Sequence, residues 1–264
     1  MSNNEYLPLS SEILDVIPHT DIEYTFRLSY DGPVKPGQFF EVSLPKYGEA
    51  PISVSGIGAG FIDLTIRRVG KVTNEVFSHY IGDHLLLRGP YGNGFELENY
   101  LGKDLIIIAG GTGLSPVRGV IDHFATHPEE RGSMTLICGF KTPQDILFRN
   151  DLARWQQSLN VILTVDNANG NTNIREGLVT QYIPDLTLNN TANTAAIVVG
   201  PPIMMRFSVQ GLLDIGLPEE NIWISYERKM CCGLGKCGHC RINSTYVCLD
   251  GPVFNYSQGK QLID

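Results

Sequence analysis

Five of the six cysteines in this 264-residue chain, Cys231, Cys232, Cys237, Cys240 and Cys248, lie in one short C-terminal segment. Four thiolates that close together are a metal-binding pattern rather than the dispersed framework of a disulfide-rich secreted domain. Cys232-x4-Cys237-x2-Cys240 has the plant-type spacing for three ligands of a [2Fe–2S] cluster, and Cys248 is left as the fourth. Gly233, Gly235 and Gly238 suit a loop that wraps closely round inorganic sulfide and offers it backbone amides. Structural zinc is the rival, because four thiolates also satisfy one tetrahedral ion. Zinc ribbons usually pair two Cys-x2-Cys knuckles, and here there is one. Cys231 and Cys232 cannot both fill the first position. Cys232 completes the x4–x2 pattern, so Cys231 is expected to be a spare thiol. His239 is expected to be an exposed loop residue, and Cys138, at the end of an apolar run, a small core residue.

A second constellation is Ala109-Gly110-Gly111-Thr112-Gly113-Leu114-Ser115-Pro116, directly after an apolar run. Such glycines permit a tight turn and bring amides close to a phosphate, with the next helix aiming its N-terminus at the anion. The alternative is a strand-to-helix turn that merely needs positive φ. Val199-Gly200-Pro201-Pro202 follows a later apolar run, and in open α/β sheets both turns would face the ligand-binding ends of the strands. The third constellation is Ala50–Ser55 with Ile66–Thr73, where hydroxyls and an arginine stand near a glycine. By residue type alone it is ordinary strand and turn sequence.

The elements around these motifs fall into two kinds. Residues 21–30 alternate, with Ile22, Tyr24, Phe26, Leu28 and Tyr30 on one face, which predicts a half-buried strand. Further strands are predicted over 38–44, 61–69 and 85–88, a turn over 56–60 and a short helix over 74–80. Short strands punctuated by Gly and Pro predict a small antiparallel barrel. From Lys103 the rhythm becomes strand–helix alternation, with strands at 104–109, 134–139, 161–165, 195–199 and 221–226 and a helix near 115–124. That pattern predicts a parallel sheet with right-handed crossovers. The last strand should continue over 225–230 into the cysteines, with 250–264 trailing as a tail. The expected divisions are 1–100, 101–226 and 227–264.

Composition narrows the setting. The formal charge of -8 argues against a nucleic-acid backbone or an anionic membrane as partner. No apolar run approaches the roughly 18–20 residues needed to cross a bilayer, and residues 1–11 carry no signal-peptide pattern, so the cytoplasm is the expected compartment.

Barrel, glycine-rich parallel sheet and C-terminal cysteine cluster together resemble the ferredoxin–NADP reductase superfamily, in the branch with a C-terminal [2Fe–2S] cluster. Within that branch the chain is most similar to the flavin-binding reductase subunits of the anaerobic sulfite reductase family. The resemblance rests on Gly48–Ser55, Val69–Thr73, Val198–Met204, Gly235–Arg241, Tyr246–Cys248 and Asp250–Tyr256. It implies an α+β multi-domain chain: a flavin-binding antiparallel β-barrel, an NAD-binding α/β domain and an iron–sulfur segment. By the same resemblance, Pro51, Ile52 and Ser53 flank the flavin ring of FAD, with Ser53 near N5. Thr65, Ile66 and Arg67 border the ring, and Gly70, Val72 and Thr73 meet the pyrophosphate. Gly110, Gly111, Thr112, Gly113, Gly200 and Pro201 would hold NADH, and Cys232, Cys237, Cys240 and Cys248 the iron. Ala50 departs from the arginine usual in the superfamily, leaving Arg67 or Arg68 to supply that charge. No side chain is required as an acid or base. The implied function is relay of electrons from NADH through FAD and the cluster to a ferredoxin-like iron–sulfur subunit. A sirohaem subunit beyond it would reduce sulfite. The alternative is the equivalent subunit of another complex, such as sulfhydrogenase or dihydroorotate dehydrogenase.

Overall fold

The computed structural model describes residues 4–79, 84–171 and 174–262. They form two compact units: residues up to Phe95 with Tyr226–Pro252, and Glu96–Ser225 with the residues from Val253 onward.

In the first unit six antiparallel strands close into a barrel: β1 (Leu9–Pro18), β2 (Glu23–Ser29), β3 (Phe39–Leu44), β4 (Gly48–Gly58), β5 (Phe61–Arg67) and β6 (His84–Tyr91). The order round the barrel is β1-β2-β5-β4-β3-β6. Helix α1 (Lys71–His79) packs on β3 and β4. The expected helix end at Tyr80 lies outside the described residues. Alternation in β2 places Phe26 and Leu28 inside, where they meet Phe40, Val42, Ile62, Leu64, Ile66 and Leu87. Each such side chain contributes roughly 1.5–3 kcal/mol on burial. The outer face of β2 is not solvated as a half-buried strand would be. Glu23 and Thr25 are buried there, and the Thr25 hydroxyl hydrogen-bonds Thr65 at 2.8 Å. The predicted turn at 56–60 is shorter than expected, because β4 runs on to Gly58 through an irregularity at Val54–Gly56. β1 was not legible in the sequence, as only Ser11 of its residues is buried and no apolar alternation marks it.

The second unit is built on β7 (Asp104–Gly110), α2 (Leu114–Thr126), β8 (Met134–Phe140), α3 (Arg149–Trp155), β9 (Asn160–Val165), β10 (Arg175–Glu176), β11 (Thr194–Val199), α4 (Pro202–Asp214) and β12 (Ile222–Ser225). The chain then supplies the ribbon β13 (Arg241–Ile242) and β14 (Thr245–Tyr246), and α5 (Val247–Asp250), to the first unit. It returns to the second with β15 (Val253–Asn255) and α6 (Tyr256–Gly259). The sheet order is β10-β9-β8-β7-β11-β12-β15, parallel except for the antiparallel edge strand β15. All six residues of β11 are buried, as a strand covered on both faces requires.

Two expectations are corrected. The last parallel strand ends at Ser225, so 226–230 is not strand. The final residues are not a trailing tail: Phe254 pairs with Ile224 and adds an edge to the sheet. The expected segment 227–264 is thus shared between the two units. No helix among the described residues is long and apolar enough to cross a membrane.

Candidate functional site

The cysteine loop is a cradle of amides pointing at sulfur. Leu234 N and Lys236 N each lie 3.4 Å from Cys232 Sγ, Gly235 N lies 3.2 Å from Cys248 Sγ, and Cys248 N lies 3.5 Å from Cys240 Sγ. Gly233, Gly235 and Gly238 all have positive φ, near 71°, 66° and 80°. The left-handed turns they permit bring consecutive amides to one side of the loop. Cys232, Cys240 and Cys248 are buried, while Cys237 is exposed. Amide donation, first from His239, holds the Cys237 thiol below its ordinary value, and burial raises that of Cys248. Among the described residues no three His, Cys, Asp or Glu side chains converge on one point. Four thiols on one glycine-rich loop, three of them met by backbone amides, suit an anionic iron–sulfur centre whose sulfurs take such hydrogen bonds. The donor set therefore fits the binuclear cluster. His239 is exposed and Cys138 fully buried, as expected.

In the same unit β4 changes partners. It pairs with β3 from Gly48 to Ser53 and with β5 from Val54 to Gly58. Pro51, Ile52 and Ser53 therefore lie just beyond the stretch paired with β5, and they are only half-buried. Ile52 packs against the barrel core, and the fully buried Ile66 belongs to that core, so these two offer only backbone outside. Thr65 is committed to Thr25 and donates to Ser55 at 2.7 Å. Arg67 is ion-paired with Glu23 at 3.2 Å. Thr73 Oγ1 accepts from Gly70 N at 2.9 Å and from Val69 N at 3.1 Å, shaping the turn into α1. The first-turn amides of α1, including that of Val72, have no intrahelical partner and suit an anion.

In the second unit β7 runs into a single 3-10 turn, Gly111–Gly113, and then α2. The turn lies against the start of α4. A Cβ on Gly113 would stand 2.5 Å from Val199 O, and one on Gly110 2.4 Å from Met204 Sδ. A Cβ on Gly200 would approach Met204 Cε to 2.9 Å. Gly113 is therefore required by backbone packing, while Gly110 and Gly200 lie against the Met204 side chain at the start of α4, which Pro201 precedes. Gly111 differs, since its φ is 54° and nothing lies within 4 Å of its Cβ direction. Thr112, beside it, is half-buried. Ser115 Oγ, on the first turn of α2, is buried without a hydrogen-bond partner. An open left-handed glycine beside an orphaned hydroxyl at a helix N-terminus fits a dinucleotide phosphate.

Sequence reasoning passed over one cluster in which Glu41 and Arg88 are buried and Glu49 and Tyr91 half-buried. Its signal was present: Glu41 interrupts the apolar run of β3 and Arg88 that of β6. Arg88 and Glu49 are bidentate, at 2.8 and 2.5 Å. That hydrogen bonding from Arg88 holds the Glu49 carboxyl below its ordinary range. Both Glu41 oxygens are buried without a partner.

Comparison with known proteins agrees with the fold and with a nucleotide-binding and an iron–sulfur module. The family model of the oxidoreductase NAD-binding domain matches residues 107–210. That of the iron–sulfur cluster binding domain of dihydroorotate dehydrogenase B matches residues 227–259. Sulfhydrogenase 1 subunit gamma of Pyrococcus furiosus is 35% identical, over 97% of this chain and 93% of its own. A probable dihydroorotate dehydrogenase B (NAD(+)) electron transfer subunit of the same organism is 34% identical, over 90% and 85%. The structure of an NADH-dependent reduced ferredoxin-NADP oxidoreductase, studied for flavin-based electron bifurcation, aligns with a TM-score of 0.78. It is 25% identical over 98% of this chain and 91% of its own. A ferredoxin NADP+ reductase from Neisseria gonorrhoeae with bound FAD and NADP shares the fold at 21% identity and a TM-score of 0.67, over 79% and 92%.

Proposed function

The chain belongs to the family of NAD-binding, iron–sulfur electron-transfer subunits that contains these relatives, and on that premise we propose that it is the NADH-oxidising reductase subunit of a multi-subunit complex. FAD on the barrel and a [2Fe–2S] cluster on the cysteine loop complete it, with a partner iron–sulfur subunit as acceptor. Together these groups convert a two-electron hydride donor into a source of single electrons. Pro51 and Ser53 face the flavin ring, and the first turn of α1 after Gly70 takes its phosphates. Gly111 and the N-terminus of α2 hold the nucleotide, and Cys232, Cys237, Cys240 and Cys248 hold the iron. The chain's own part is to bind and orient, and no side chain has to move a proton. The relatives favour a complex of the sulfhydrogenase or dihydroorotate dehydrogenase kind over the anaerobic sulfite reductase expected from the sequence resemblance. The acceptor is accordingly left free of any sirohaem subunit.

The observation that carries this reading is the four-cysteine loop whose sulfurs are met by backbone amides, on the same compact unit as the half-buried stretch of β4. Anaerobic purification should give a yellow-brown protein containing flavin and two irons per chain, the complement of one [2Fe–2S] centre. It should oxidise NADH with an artificial acceptor and form no sulfide from sulfite by itself. A colourless protein containing zinc, or sulfide formed by the isolated chain, would overturn the proposal.

A further inference from the structure

Arg88 is 3% exposed in its side chain, and all five of its N–H donors are used within the first unit. Nε and Nη2 donate to the Glu49 carboxylate of β4. Nη1 donates to Tyr91 Oη at 2.8 Å. The two remaining donors reach the adjacent cysteines: Nη1 to Cys232 O at 3.1 Å and Nη2 to Cys231 O at 3.2 Å. Tyr91 adds a second restraint. A Cβ on Gly233 would stand 2.4 Å from the Tyr91 ring, so the loop backbone is packed directly against that ring. Tyr91 is itself tied down, its hydroxyl donating to Glu5 O at 3.1 Å.

Both carbonyls of the Cys231–Cys232 pair are therefore anchored to the barrel wall by one rigid, planar cation. Fixing consecutive carbonyls fixes the intervening peptide plane and the backbone angles of Cys232, and with them the direction of its Cα–Cβ bond. The sulfur that results is the one met by Leu234 N and Lys236 N. Among the described residues no amide donates to Cys231 Sγ. We propose that Arg88 is a positioning residue that makes Cys232, and not its neighbour Cys231, the first iron ligand, by holding both of their carbonyls on the barrel. The proposal rests on the [2Fe–2S] reading of the loop. A planar fork is required, because a lysine ammonium cannot hold Glu49 bidentately and reach two carbonyls at once.

The test is thiol protection in the complete, anaerobically purified protein. Iodoacetamide is applied to the folded chain, and peptide mapping reads the labelling of Cys231 and Cys232. Reduced samples are followed by electron paramagnetic resonance. In the unsubstituted protein Cys231 should label and Cys232 should not. In Arg88→Met, Cys232 labelling should rise by about tenfold as the two charge-assisted hydrogen bonds are lost. The resonance should become a mixture of two species, and adding Cys231→Ser should remove the new one. Arg88→Lys should fall between. If Arg88→Met does not fold, Glu49→Gln loosens the same anchor and should shift labelling in the same direction. Unchanged protection of Cys232 and an unchanged resonance, in a folded variant with its normal iron content, would overturn the role of Arg88 alone. Absence of any [2Fe–2S] resonance from the unsubstituted protein would overturn the cluster reading, and this proposal with it.

Discussion

The cysteine loop and the glycine turn after β7 use the same material, glycine and exposed amides, in opposite ways. In the turn, Gly113 lets backbone pack on backbone against Val199 and Gly200, and Gly110 and Gly200 pack against Met204. In the cysteine loop the glycines turn amides toward the chain's own sulfurs, and between 226 and 252 regular structure is limited to two-residue strands and one four-residue helix. One region is made rigid by packing. The other draws much of its order from what it binds, because ligand binding free energy becomes folding free energy where the apo site is loosely held.

The largest separation between the two should follow removal of iron. Chelation under reducing conditions should raise hydrogen exchange across 231–248 by about two orders of magnitude and leave 107–117 unchanged. Equal change in both segments would break the contrast. Gly113→Ala probes the packed turn, since its Cβ must displace Val199 O. It should cost about 3 kcal/mol in urea unfolding, with flavin and iron content retained by the molecules that fold. Gly111→Val probes the open position of the same turn. Reduction of the flavin by NADH should slow by about a hundredfold while dithionite still reduces both centres, because the side chain would occupy the phosphate approach. Normal reduction by NADH would remove Gly111 from the site.

The smallest effect concerns the barrel beneath the cysteine loop. Burial, and then the neighbouring Glu49, raise Glu41 from 4.5 to about 7, against the opposing pull of Arg88. The folded chain thus holds this proton more tightly than the unfolded chain. The associated stability is present below pH 4.5 and is lost as pH rises through 7. Over that window the unsubstituted protein should lose up to about 3 kcal/mol relative to Glu41→Gln, measured by urea unfolding. Parallel curves for the two would show that Glu41 does not titrate there.

The iron–sulfur segment and the order of β-barrel and parallel sheet were legible because both signals are local. Cysteine spacing and hydrophobic period are properties of short stretches of chain. The five parallel strands predicted from the second half all form, four of them within about one residue of their expected ends and the last stopping at Ser225. By itself the sequence determined which thiols could share a cluster, which turn could take a phosphate, and the order of the two folds. Only the tertiary structure decided the rest. Ile52 and Ile66 turn into the barrel while Pro51 and Ser53 remain half outside, because closure of six strands sets which face is interior. Residues 253–255 become a sheet edge because β12 leaves its outer hydrogen-bonding groups to be paired. Arg88 reaches Cys231 and Cys232 across more than half the chain, a contact no local spacing encodes, because a buried guanidinium must place all five donors and the loop carbonyls are where the fold brings acceptors to it.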